Sequence, residues 1–170
     1  VDAKKLRDGR IILACKVSEG NVLKGEKCRC AVDKARRKSI AANHSATHLL
    51  QEALREVVGD HVEQAGSYVN DERLRFDFSH YEAVKPEELE KVEKIVNEKI
   101  FEALDITCAE MPIEEAKKLG AMALFGEKYG NIVRVVKMGD FSVEFCGGTH
   151  AKNTADIGIF KILSEEGIAA

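Results

Sequence analysis

Residues 40–81, IAANHSATHLLQEALREVVGDHVEQAGSYVNDERLRFDFSHY, hold a helix and a hairpin in one run. From Ile40 to Val58 apolar residues recur at spacings of three and four, and Gly59 stands where such a helix would end. His44 and His48 lie one turn apart on this helix, so both imidazoles share a face. Beyond it, HVEQAGSYV and RLRFDFSHY flank Asn70-Asp71-Glu72, whose turn chemistry predicts an antiparallel hairpin. Leu74, Phe76 and Phe78 alternate with Arg73, Arg75 and Asp77, which gives the second strand a core side and a solvent side.

Working outward, Pro86 opens a second long helix whose Leu89, Val92, Val96 and Ile100 form an ordinary core stripe. DITCAEM reads as a strand, IEEAKKLG as a short helix, and NIVRVVKM with FSVEFC as a second hairpin around Gly139-Asp140. IGIFKILSEE reads as one more strand. Upstream, RIILACKVSEG and EKCRCAVD are β-leaning runs around Gly20-Asn21 and Gly25, a hairpin or the remnant of a barrel. The fold class is α+β, with two long helices packed on a mainly antiparallel sheet. The expected division is a β-rich segment over 1–33 and a larger domain over 34–170. No repeat, low-complexity tract or flexible linker interrupts it.

With 170 residues and 45% hydrophobic content, the chain can bury one sizeable core. A formal charge of -3 argues against indiscriminate binding to nucleic acid, so any RNA contact should be local. No apolar run approaches a membrane span and the start has no signal-peptide core, which predicts a cytoplasmic protein. Five cysteines in no disulfide-like framework fit a reducing compartment. Cys15 and Cys108 read as small buried hydrophobes, and Cys28 and Cys30 as neighbours on one face of a strand. The initial Val1 in place of methionine suggests a piece of something longer.

The chemistry concentrates in two pairs roughly a hundred residues apart, His44-x-x-x-His48 and Cys146-x-x-x-His150. One imidazole on a helix with Leu49, Leu50, Ala53 and Leu54 is ordinarily a hydrogen-bonded residue at the core edge. That reading leaves Cys146 and His150, around two glycines and a threonine, unexplained. A single zinc ion accounts for all four, with Cys146 and His150 completing the shell from a loop. Four protein ligands favour a structural ion, whereas the glycines of CGGTH would let backbone approach a substrate. His44 is followed by Ser45 rather than Glu, which excludes the metalloprotease pattern, and GEKYG is no phosphate-binding loop. The run Lys34, Arg36, Arg37, Lys38 reads as a solvated helix start before it reads as a phosphate contact.

The segments NHSATHLLQEAL, QAGSYV, LRFDFSH, GAMALFGEKYG, VRVVKMGDFS and CGGTH occur in that order over about Ala31 to Gly167. In them the chain resembles the editing domain of alanyl-tRNA synthetases. Free-standing trans-editing deacylases and, more distantly, the threonyl-tRNA synthetase editing domain share the pattern. The resemblance implies hydrolysis of the ester joining serine or glycine to the tRNA for alanine. A site for alanine cannot exclude smaller glycine, and it rejects an added hydroxyl only weakly, so a second hydrolytic sieve is needed. The resemblance also implies zinc on His44, His48, Cys146 and His150, Thr47 at the serine hydroxyl, and Gln64 in the pocket. Backbone amides at Gly147 and Gly148 would steady the oxyanion. Arg36, Arg37, Arg73 and Lys128 are candidate contacts for the tRNA acceptor end. Departures are small: Ser45 where threonine is frequent, and Phe145 where leucine is frequent. The aminoacylation and tRNA-recognition regions, and an arginine-rich strand beyond Ala170, are not in this sequence, so the remainder of a synthetase is the expected partner. The competing readings are a zinc-stabilised tRNA-binding module without chemistry of its own and a free-standing trans-editing deacylase.

Overall fold

A computed structural model describes residues 2–6, 8–122 and 129–167. The chain divides into two compact units, Val1–Val32 and Asp33–Ala170. In the first, β1 (Asp2–Lys5) pairs antiparallel with β2 (Ile11–Ala14). The expected hairpin partner, EKCRCAVD, forms no strand. β2 has instead paired with the segment before it, across a turn in which the Leu6 N–H donates to the Arg10 carbonyl at 2.8 Å. Beyond β2 the backbone turns through positive φ at Gly20 and Gly25. Cys28 and Cys30 therefore share no strand face, and Cys15 and Cys108, expected to be buried, are exposed. Cys108 lies on an edge strand, where alternation alone does not guarantee a covering layer.

The second unit begins at Asp33, whose carboxylate accepts from the Arg36 N–H at 3.0 Å and caps α1, Lys34–Val58. The cap starts the helix six residues before its apolar phase begins at Ile40, and Lys34 to Ser39 are exposed. Gly59 ends it as expected, at a φ of 134°. There a Cβ would press on the His61 ring, at 2.9 Å from Nδ1.

β3 (Gln64–Val69) and β4 (Leu74–Phe78) form the predicted antiparallel hairpin. The Asn70 side-chain oxygen accepts from the Glu72 and Arg73 N–H groups, which closes the turn. α2, Pro86–Phe101, starts with Pro86 and with Glu88 accepting from the Lys85 N–H at 3.0 Å. Val92, Val96 and Ile100 are its buried stripe, and they meet Ala46, Leu49, Ala53 and Leu54 of α1 in the main core.

β5 (Ile106–Pro112) leads into the short α3, Ile113–Lys118. β6 (Ile132–Met138) and β7 (Ser142–Phe145) complete an antiparallel sheet in the order β5-β6-β7. Val136 and Met138 send this sheet into the core against the helices.

IGIFKILSEE, expected as a strand, is not one: a 3-10 turn over Thr154–Ile157 is followed by irregular chain. Side chains of α2 take the backbone groups a strand would have offered a neighbour. Asn97 donates to the Phe160 carbonyl at 2.9 Å and accepts from its N–H at 3.0 Å, while Glu93 accepts from the Ile162 N–H at 2.8 Å. Among the described residues no helix is long and apolar enough to cross a membrane.

Candidate metal centre

Two elements that meet nowhere in the sequence deliver the site. α1 brings His44 and His48 at helical spacing, and the end of β7 brings Cys146, after which the CGGTH loop turns back to place His150 against α1. Ligating atoms of all four residues lie within 4.8 Å of one another. The Cys146 Sγ is 3.5 Å from His44 Nε2 and 3.2 Å from His150 Nε2. The imidazole centroids are 5.6, 4.3 and 4.7 Å apart.

Zinc bonds of roughly 2.0–2.3 Å in a tetrahedron put neighbouring donors about 3.3–3.8 Å apart; the two Cys146 contacts fall near that spacing and the whole donor set lies within 4.8 Å, so the residues fit the ion. No other such group occurs among the described residues.

The loop is built for this approach. The ring of His44 occupies the space a side chain at Gly148 would need, so no other residue fits there without displacing a candidate ligand. Gly147 has nothing within 4 Å of a Cβ position. Arg134 donates to the carbonyls of Cys146 and Gly148 at 2.7 and 2.8 Å, and the Cys146 N–H donates to the Arg134 carbonyl at 3.0 Å. From α1, fully buried Ser45 meets His150 Nδ1 at 3.2 Å and accepts from the Ala151 N–H at 3.0 Å. His48 Nδ1 lies 2.8 Å from Glu144 Oε2, and both side chains are buried. That contact is a short charge approach rather than a straight hydrogen bond, because the ring N–H does not point along it.

The electrostatics are those of a site made for a cation. Burial alone would raise the Cys146 thiol, yet hydrogen bonds from His150, His44 and His48 outweigh it and hold the group near 3, as a thiolate. Burial would lower His48, but the Cys146 sulfur and the Glu144 carboxylate beside it carry it up to about 9. His150 is pushed down, by burial first and then by the charge of its neighbouring histidines. These shifts favour a thiolate at Cys146 and a proton on His48. The thiolate is the form a metal requires, whereas the imidazolium proton must leave for His48 to bind one.

The other expected residues have distinct places. Thr47 is buried, and its hydroxyl donates to the His44 carbonyl at 2.7 Å, the usual behaviour of a threonine inside a helix. Gln64 is half-buried at the start of β3, donating to Ser67 at 3.2 Å. The Gly148 N–H points at the Cys146 sulfur at 3.4 Å, so of the two loop amides only Gly147 has no hydrogen bond among the described residues. Arg36 pairs with Asp71 at 3.2 Å, joining the start of α1 to the hairpin turn that carries Arg73. Arg37 and Arg73 are exposed. Lys128 lies outside the described residues.

Glu144 and Arg134 escaped the sequence reading. Both sit in strands where charge alternation reads as a solvent face, and only burial of Glu144 in the β7 pattern reveals otherwise.

Comparison with known proteins agrees with the motifs. The family described as "Threonyl and Alanyl tRNA synthetase second additional domain" matches residues 133–170, a stretch that includes Cys146 and His150. Alanine–tRNA ligase of Bacillus mycoides is 54% identical over 169 residues, 99% of this chain and 19% of the relative. The ligase of Bacillus anthracis has the same identity and coverage, and that of Listeria monocytogenes serotype 4b is 55% identical over the same share of each chain. The chain thus spans about a fifth of the length of the relatives it matches, 19% in each case.

Proposed function

Homologous along almost its whole length to a segment of alanine–tRNA ligases, the chain is one for which we propose an editing function, hydrolysis of serine or glycine wrongly esterified to the tRNA for alanine. The observation that carries this reading is the convergence of His44, His48, Cys146 and His150 within 4.8 Å, at the junction of a helix and a glycine loop. These residues would hold zinc, which when bound supplies a Lewis-acidic anchor for the aminoacyl group.

In the reaction, a water oxygen bonds to the ester carbonyl carbon and the carbonyl electrons move onto oxygen. When the carbonyl re-forms, the bond to the ribose oxygen breaks. That oxygen takes a proton, giving free amino acid and intact tRNA. The Gly147 N–H, which has no hydrogen bond among the described residues, is the loop amide available to the developing oxyanion. Thr47 has its proton committed to the His44 carbonyl, so it would meet a serine hydroxyl as an acceptor. Gln64 would line the pocket, and Arg36, Arg37, Arg73 and Lys128 would contact acceptor-end phosphates.

A specific observation supports a second reading, in which zinc serves only the fold of an RNA-binding module. Four protein donors would fill a tetrahedral shell and leave no open position. Deacylation of seryl-tRNA and alanyl-tRNA for alanine, with zinc content and melting followed before and after chelation, separates the two. Selective loss of serine by the zinc-loaded chain supports editing. Bound zinc and intact tRNA binding with no hydrolysis would leave the module.

A further inference from the structure

Each imidazole has two nitrogens, and only one of them can face a metal. We infer that Glu144 and Ser45 are positioning residues that fix His48 and His150 with the proton on Nδ1, so that both rings present Nε2 to the ion. The inference rests on the zinc reading above and assigns roles to two residues that are not themselves ligands.

The argument starts from what each partner can accept. A carboxylate oxygen is an acceptor, so a ring nitrogen 2.8 Å from Glu144 Oε2 is favoured as N–H. This leaves the His48 Nε2 lone pair as its only ligating position. Ser142 donates to the other carboxylate oxygen of Glu144 at 3.1 Å, which holds the group in place on β7.

Ser45 works in parallel. Its oxygen accepts from the Ala151 N–H at 3.0 Å and has a second lone pair for His150 Nδ1 at 3.2 Å. His150 Nε2 is then the nitrogen 3.2 Å from the Cys146 sulfur. His44 also presents Nε2 to that sulfur, at 3.5 Å, while the other side of its ring faces Gly148. Three rings from two elements thus aim the same nitrogen inward.

Charge gives Glu144 a second reason to be there. A divalent ion, one thiolate and three neutral imidazoles sum to +1, and an uncompensated buried charge is costly. The Glu144 carboxylate, itself buried and 2.8 Å from His48, offsets part of that charge at close range. A carboxylate held against the outer nitrogen of a ligating histidine favours the proton there and raises the basicity of the nitrogen that faces the ion.

The test uses the full chain and reads metal affinity rather than turnover. Zinc dissociation constants from chelator competition are measured for wild type, Glu144→Gln, Glu144→Ala and Ser45→Ala. Melting in chelator checks that each variant folds. Long-range 1H–15N spectra of zinc-loaded wild type report the tautomers. The expected result is N–H at Nδ1 for His48 and His150, with about 10–100-fold weaker zinc binding in Glu144→Ala. Glu144→Gln, which keeps an acceptor and loses the charge, should fall between wild type and Glu144→Ala, and Ser45→Ala should weaken binding less. A proton on Nε2 of either ring in the zinc-loaded chain would overturn the inference, even if the alanine variants fail to fold. So would a folded Glu144→Ala variant with wild-type zinc affinity. A wild-type chain that takes up no zinc would sink the metal reading first and this inference with it, whereas failure confined to the variants leaves the metal reading standing.

Discussion

Gly148 shows how much of the site is decided by one missing atom. The His44 ring lies where its Cβ would be, so Gly148→Ala must push either the loop or the ring away from the metal position. Gly147, next to it, has open space around the same point, and Gly147→Ala should be tolerated. Zinc content of the two purified variants is the measurement. We expect Gly148→Ala to lose most of its zinc while remaining folded in its main core, and Gly147→Ala to retain one ion per chain. Equal zinc content in both would mean that the close approach of His44 is not required. At this scale the sequence was informative where spacing encodes geometry: the four-residue intervals of His44–His48 and Cys146–His150 identified a cluster that the fold does assemble. It was silent about Glu144 and Arg134, because nothing local distinguishes a buried charge in a short strand from an exposed one.

At the scale of elements, propensity and periodicity located both long helices and the hairpins of the larger unit, since each carries its own cap, turn or apolar stripe. They failed at IGIFKILSEE for a reason in another element. Glu93 and Asn97 project from α2 and satisfy the backbone that a neighbouring strand would have paired. The hydrogen bond from Lys161, at 2.8 Å, outweighs the smaller effect of burial and, with the Ile162 N–H, holds the Glu93 carboxyl below its ordinary range. A lowered folded-state value means a stabilising contribution fully present above the unfolded value and lost as pH falls through the folded one. Acidification from neutrality to below pH 4 should therefore loosen the segment over 158–167 before the helical core. Glu93→Ala should produce the same loosening at neutral pH, at a cost of about 1 kcal/mol, since the pair is partly solvated. Amide exchange of Phe160 and Ile162 reads both effects. If their protection is unchanged by the substitution and by acid, the Glu93 contacts are not what orders this segment.

For the whole molecule, the decisive fact is where the buried residues come from. Every buried hydrophobic described lies at Ala41 or beyond, and both core clusters are built within Asp33–Ala170. The four candidate ligands and their supporting residues Ser45, Arg134 and Glu144 fall in the same unit. In the first unit, by contrast, Ile11, Val22 and Leu23 are 65, 72 and 67% exposed. We therefore expect a chain beginning at Asp33 to fold alone and to bind zinc with the affinity of the longer chain, because deletion removes no core side chain and no ligand. Its melting temperature should fall by no more than a few degrees, a shift that corresponds to about 1 kcal/mol in a domain of this size. Circular-dichroism melts and zinc competition on the two chains decide the matter. A shortened chain that fails to fold, or that folds and binds zinc more than tenfold more weakly, would mean that the larger unit needs Val1–Val32. Retained folding and affinity would place the whole candidate site in one autonomous unit, Asp33–Ala170.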